Sequence, residues 1–360
     1  MTSMNYEGYD IVPYHPEFLD GVLQVLRHLW GNDHEKNRSY FHWKYSLNPY
    51  TEKELGIVAL HKNKVVGFRG YFATRWKINE TDKKFITLCP GDLCIEPDHR
   101  RRHIAMLTGQ AAMRDYAETY PIFFSFSSNK KSTQLAFKMG YTPLASKQYL
   151  NQYTVPGLFK YILLSGRPGK GIDISVPTGD FGDLEISEHP KPSLMADLDL
   201  RQTCRSGKIY LDQDEDFFKW RFNNLRKQYV FYYYKENEEI KGYMVVRVTP
   251  GKKRGFIIDY VVPDESSAFK LVAFPIKNNQ FNVLSISRYS VAGPMAGALM
   301  KLKFKSANII ESVKKTIEGD WPLLVRPVRQ NPSEKDYYLE GIDIRMIDNW
   351  SLKEICSDGS

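Results

Sequence analysis

The residues best placed to do chemistry lie in one run, Gly91-Asp92-Leu93-Cys94-Ile95-Glu96-Pro97-Asp98-His99-Arg100-Arg101-Arg102-His103-Ile104-Ala105. Residues 91–96 read as a strand, and the twofold alternation of a strand puts Asp92, Cys94 and Glu96 on one face. A carboxylate on such a face can take a proton from an attacking nucleophile. Glu96 is the first candidate and Asp92 the second, although a structural or solvated role for either stays open. Cys94 reads as packing, because no histidine sits at a telling offset from it. A long helical pattern begins at Ile104, so Arg100, Arg101, Arg102 and His103 crowd a helix start. The helix dipole disfavours cations there, whereas free amides and the same dipole favour an anion such as a pyrophosphate. Arginines gathered at that end are expected to serve a bound anion; the alternative is that they simply face solvent.

The elements that must position these residues occur twice. Phe41-His42-Trp43-Lys44-Tyr45 recurs as Phe218-Lys219-Trp220-Arg221-Phe222. Each copy is followed by a hairpin with an early glycine (Gly67, Gly242) and then an apolar strand ending at Pro97-Asp98 or Pro263-Asp264. A helix, a strand and a second helix follow in both, closing at Gly140-Tyr141 and at Lys303-Phe304. Agreement in order and spacing points to one α/β unit used twice. The second copy has Glu265-Ser266-Ser267-Ala268 where the first has its basic turn, so its anion site is expected to be lost and its role to be shaping an acceptor cleft or an interface. The Trp-basic-aromatic segments and Tyr232-Tyr233-Tyr234 read as core and interface packing. Pro-Gly and Arg-Pro-Gly-Lys-Gly between the copies mark a linker. The expected organisation is 1–153, a crossing at 154–184, and 185–360.

Composition agrees. At 360 residues and 42% hydrophobic, the chain can bury two cores, and 14% aromatics argue against disorder. No apolar run is long enough for a membrane span, and the opening residues lack a signal-peptide pattern, so a cytoplasmic protein without membrane contact is expected. Four cysteines without metal-ligand spacing predict reduced thiols and no structural metal. The formal charge of +8 suits a polyanionic ligand or a solvated surface equally well.

The basic turn resembles the signature of the GNAT (N-acetyltransferase) superfamily, in which Arg or Gln, two variable residues, Gly, one variable residue and Gly or Ala wrap the pyrophosphate of acetyl-CoA. Arg100 matches the first place and Ala105 the last; His103 stands where Gly is usual. The run Phe124-Ser125-Phe126-Ser127-Ser128-Asn129, a helix and Gly140-Tyr141 resemble the second motif of the family, with Ser132 where a small residue is expected. The family's Tyr that protonates the departing thiolate is replaced by Ala136. The resemblance implies two tandem GNAT-like domains, each a mixed, mostly antiparallel sheet flanked by helices. It implies an acyl-CoA co-substrate, with acetyl-CoA first, no metal, and direct transfer to a primary amine. The implied contacts are Leu93, Cys94 and Ile95 for the pantetheine arm, Arg100, Arg101, Arg102, His103, Ile104 and Ala105 for the pyrophosphate, and Asn129 and Ser132 beyond them. Tandem members with Trp-basic-aromatic segments resemble bacterial acyltransferases of cell-surface sugar modification, which makes an amino sugar the expected small-molecule acceptor. Two rivals stay open: an aminoacyl-tRNA-dependent transferase, against which the absence of a heptad insertion counts, and a non-catalytic acyl-CoA-binding module. Nucleic acid is therefore not the expected partner.

Overall fold

Both copies of the repeated segment begin at a helix capped by aspartate: Asp33 accepts from the Lys36 amide and Asp214 from the Phe217 amide. What each helix carries is then brought to one axis. Trp43 and Trp220 stack at 5.5 Å with their planes 11° apart. Each indole donates to the other's backbone carbonyl, at 2.7 and 2.8 Å. Both tryptophans are buried, so these reciprocal bonds satisfy N–H groups that water cannot reach.

The computed structural model describes residues 4–79, 83–126, 130–154, 176–202, 208–249, 253–306 and 322–357. The first half runs β1 (Met4–Tyr6), β2 (Tyr9–Pro13), α1 (Leu19–Trp30), α2 (His34–Phe41), β3 (Leu55–His61), β4 (Lys64–Ile78), β5 (Lys84–Ile95), α3 (Ile104–Tyr116), β6 (Ile122–Ser125), α4 (Lys130–Lys138), β7 (Thr142–Ser146) and β8 (Tyr149–Tyr153). The second runs β9 (Gly179–Asp180), β10 (Leu184–Ser187), α5 (Pro192–Leu200), β11 (Ile209–Leu211), α6 (Glu215–Arg221), β12 (Gln228–Glu236), β13 (Glu239–Thr249), β14 (Arg254–Val261), α7 (Glu265–Lys277), β15 (Val283–Ser287), α8 (Gly293–Lys301), β16 (Lys305–Ser306) and β17 (Pro322–Pro327). A small hairpin of β18 (Tyr338–Leu339) and β19 (Ile342–Asp343) precedes β20 (Trp350–Ser351). Much of the expected linker, 155–175, and Cys204 lie outside the described residues.

The expected hairpins form as β3–β4 and β12–β13. Two mixed sheets result, ordered β1-β2-β3-β4-β5-β6-β17-β7 and β16-β8-β15-β14-β13-β12-β10-β9. The orders reveal a reciprocal exchange. Strand β8 leaves the first half to sit between β15 and β16, while β17 enters the first sheet between β6 and β7. One apolar core runs through the junction, joining Trp43, Phe72 and Trp76 to Phe217, Phe218 and Tyr243. A second lies beneath α7 and α8. Tyr232, Tyr233 and Tyr234 are all buried, as an interior strand requires.

The exchange predicts interdependent halves. A chain ending at residue 306 lacks β17 and leaves β6 and β7 as open edges, so it is expected to lose cooperative melting and to aggregate. Scanning calorimetry against the full chain checks this; a sharp transition from the shortened chain would show that β17 is dispensable.

Candidate functional site

Strand β5 is not the flat strand that alternation alone predicts. Its register with β4 shifts between Phe68 and Gly70, leaving Asp92 and Leu93 opposite Arg69, and Asp92 takes a positive φ of 49°. A bulge of this kind re-aims side chains. Asp92, Cys94 and Glu96 nonetheless all reach α1. The Trp30 indole donates to Asp92 Oδ1 at 3.1 Å, the Cys94 thiol to the Val25 carbonyl at 3.2 Å, and His28 Nε2 meets Glu96 Oε2 at 2.9 Å. The helix that presents these groups is fixed by burial of Val22, Leu23, Val25 and Leu26, and it ends at Gly31, whose φ of 93° suits a residue without a side chain.

The two carboxylates differ in what surrounds them. Asp92 also accepts from Lys44 Nζ at 2.6 Å and from the Tyr45 hydroxyl at 2.5 Å. The Lys44 side chain is 1% exposed and that of Asp92 9%, so this is a buried ion pair with its remaining acceptor sites largely filled. Gly70 makes it possible, because a Cβ there would collide with the Tyr45 hydroxyl. Burial, and then the charge of Asp92, hold that phenol well above its usual range. Among the described residues Glu96 has one side-chain partner, His28, and it remains 22% exposed. It is the more available of the two. Burial pushes the Cys94 thiol up, in keeping with packing rather than nucleophilic chemistry.

Beyond Glu96 the chain makes a short turn at Pro97–His99 and enters the basic run. Arg100 Nε donates back to the Ile95 carbonyl at 2.9 Å. Arg101 and His103 both take left-handed backbone, with φ of 63° and 59°. His103 thus occupies the conformation for which glycine is usual, and its side chain is exposed rather than folded into the loop. No side chain caps α3. Among the described residues, the amides of 101–105 donate to no backbone carbonyl. On the inner edge of β5 the parallel ladder with β6 pairs only Thr87 with Ile122 and Leu88 with Phe123, and Leu93, Cys94 and Ile95 lie past its end. Beyond β6, Ser132 stands in the first turn of α4, half-buried, and Ala136 is buried on that helix. Asn129 lies outside the described residues.

The second copy has the same frame and fills it from within. Its β14–β15 ladder stops at Ile257 and Ile286, and the segment Glu354–Cys356 packs against β14. Lys353 Nζ bonds the Tyr260 carbonyl at 3.1 Å and pairs with Asp259 at 2.7 Å. Glu354, fully buried, accepts from Lys147 at 2.7 Å and from the hydroxyls of Ser287 and Tyr289. Burial opposes its ionisation, yet Lys147 and those hydroxyls hold its carboxyl below the usual range. At the start of α7, Asp264 and Ser267 form a capping box, so the chain's own carboxylate occupies the place of an anion.

Sequence reasoning missed four participants in the first copy. Lys44 and Tyr45 sit in the Trp-basic-aromatic segment, whose pattern indicates only packing. His28 and Trp30 lie at the end of α1, about sixty residues from their partners in sequence, with no spacing that links them to β5. The second half adds Arg226, whose guanidinium lies 4.2 Å from the Tyr40 ring centre and 5.2 Å from that of Trp30. Among the described residues no group of three or more His, Cys, Asp or Glu is placed to hold a metal ion, and no helix is long and apolar enough to cross a membrane.

Two outcomes test this geometry. Lys44→Ala strands a buried carboxylate and is expected to destabilise the fold by about 3–5 kcal/mol in urea unfolding. His103→Gly relieves left-handed strain and, after the added freedom of the unfolded chain is set against it, is expected to stabilise by about 0.5–1 kcal/mol. A destabilised His103→Gly would mean that the imidazole makes a contact that the backbone conformation does not explain.

No family model matches the sequence, and no curated protein sequence matches it. Solved structures do resemble the fold. A GCN5-related N-acetyltransferase from Anabaena variabilis superposes with a TM-score of 0.61 at 14% identity, covering 89% of this chain and 73% of that one. A second GCN5-related N-acetyltransferase, from Kribbella flavida, gives 0.56 at 11% identity, with 89% and 71% covered. Eis1 from Mycobacterium abscessus gives 0.54 at 12%, with 89% and 73% covered. Likeness extending over both sheets, together with the repeated order of elements, shows that this chain has the tandem GNAT fold.

Proposed function

We propose that the protein is an acyl-CoA-dependent N-acyltransferase that uses acetyl-CoA and works through its N-terminal unit (1–153), with the C-terminal unit (185–360) as a degenerate partner. The carrying observation is the contrast between the two equivalent helix starts. At α3 the amides are uncapped, two residues are held left-handed, and three exposed arginines stand beside them; at α7 a capping box occupies the same place. A diphosphate suits the first and would meet Asp264 at the second. Arg100, Arg101, Arg102, His103, Ile104 and Ala105 would hold that group, and Leu93, Cys94 and Ile95, past the end of the β6 ladder, would hold the arm between it and the reacting carbon.

Acetyl-CoA would supply an acyl group activated as a thioester. The chain's task is then to orient an amine and remove its proton as the C–N bond forms and the C–S bond breaks. Glu96, with His28 against its carboxylate, is the base in this scheme. Asp92, saturated by Lys44, Tyr45 and Trp30, positions α1 instead. With Ala136 in place of a tyrosine, the leaving thiolate takes its proton from water. The acceptor is a small primary amine, an amino sugar first, approached from the side lined by α1 and Arg226.

Calorimetric titration with acetyl-CoA and with CoA tests the reading. Binding near micromolar, about −8 kcal/mol, is expected, weakened in Arg102→Ala. In an amine screen, Glu96→Gln is expected to lower kcat by about 10²–10⁴-fold while leaving acetyl-CoA affinity unchanged. Binding without turnover on any amine would favour a non-catalytic acyl-CoA-binding module; no binding would overturn the proposal.

A further inference from the structure

A cleft of about 700 Å³ opens at the far end of α3, walled by the rings of Tyr14, Tyr116 and Tyr120 and by the carboxylates of Glu52, Glu54 and Asp115. Its volume falls within the range of small-molecule sites, roughly 300–1,000 Å³. It does not belong to the region around Glu96. The basic run precedes the first residue of α3 and the cleft surrounds the last, and a helix of 13 residues separates them by about 18 Å.

The charges in this cleft are unequally committed. Asp115 is bridged by Arg114 at 2.6 Å. Two lysines also line the cleft: Lys84 pairs with Asp212 in the second half at 3.3 Å, and Lys53 is exposed and pairs with no carboxylate among the described residues. Glu54 accepts from the Ser46 hydroxyl at 2.7 Å but, like Glu52, has no cation paired with it among the described residues. Burial and the neighbouring Glu54 push the Tyr14 phenol up, and burial and Glu52 do the same to Tyr120. Glu52 and Glu54 line the same cleft as the Tyr14, Tyr116 and Tyr120 rings. Ring faces and unpaired carboxylates attract the same kind of guest, an ammonium or guanidinium on an apolar body.

We propose that this cleft is a second binding site, taking an organic cation with an aromatic or apolar body between the Tyr14 and Tyr120 rings and its charge against Glu52 and Glu54. The site stands independently of the acyl-transfer reading, since it shares no residue with it.

The test is calorimetric titration of the full chain with three probes of similar body and different charge: 2-phenylethylamine, 2-phenylethanol and 3-phenylpropionate. The amine is expected to bind saturably, with the alcohol about tenfold weaker and the acid not measurable. Glu52→Gln combined with Glu54→Gln is expected to weaken the amine by about tenfold. Thr119→Trp, which fills the cleft without touching its charge, is expected to abolish binding. Both variants should melt as the parent does and bind acetyl-CoA as the parent does. No binding of the amine, equal binding of amine and alcohol, or amine binding that survives either variant would overturn the proposal; the last outcome would place the amine elsewhere, such as beside Glu96.

Discussion

The reciprocal exchange of β8 and β17 is the constraint on which the rest of the molecule depends. Neither sheet is complete from its own half, so every hydrogen bond on the outer edge of β6 is made by chain arriving from about two hundred residues further on. The exchanged strand also brings Arg326 into the first half. It is 2% exposed, donates to the carbonyls of Pro327, Arg329 and Met139, and lies over the Tyr141 ring. Burial holds its pKa below the usual value, and charge-assisted bonds to carbonyls offset that desolvation. Because Met139 follows the last residue of α4, the guanidinium satisfies a carbonyl at the negative end of that helix dipole. The far end of the chain thereby sets the helix flanking the candidate site.

A second constraint acts inside the first half. Burying Lys44 and Asp92 carries a desolvation penalty that their attraction offsets only with good geometry and further hydrogen bonds. Tyr45 and Trp30 provide those bonds, the bulge at Asp92 aims the carboxylate at them, and Gly70 leaves room for the phenol. The pair fixes the end of α1 relative to β5, and with it the approach of His28 to Glu96. The corresponding basic residue in the second half, Arg221, holds the carbonyls of Ile355 and Ser357 instead. Two copies of one motif have diverged, one binding an acidic strand residue and the other anchoring the tail that fills its own cleft.

Much of this was legible in the sequence because it rests on local pattern. The duplicated Trp-basic-aromatic segment, the paired hairpins and the helix start at Ile104 follow from period and punctuation, and Trp43 and Trp220 do pack as interface residues. The strand exchange was not legible, since neither β8 nor β17 carries a pattern that names its neighbour; pairing partners are set by global topology. Nor was the division of labour between Asp92 and Glu96, which depends on a bulge and on side chains distant in sequence. His103 is a further case. It stands where glycine is usual, and in the fold its backbone is left-handed and its side chain exposed, which the residue type alone does not foretell.

The backbone of this turn bears on the proposed difference between the two halves. Left-handed backbone at a non-glycine residue costs about 1–2 kcal/mol, and the turn leading into α3 accepts it twice, at Arg101 and at His103. The second half, built on the same order of elements, begins its equivalent helix from extended backbone with an ordinary aspartate cap. Capping supplies stability with no strain, so a helix start with only a structural task is expected to drift to that solution. At α3 the start is strained, stands beside three arginines and, among the described residues, has no cap; it adjoins β5 residues past the end of the β6 ladder, where Arg100 Nε holds the Ile95 carbonyl. Strain at this start, where a relaxed alternative lies in the same molecule, is the physical support for the anion site proposed at those amides.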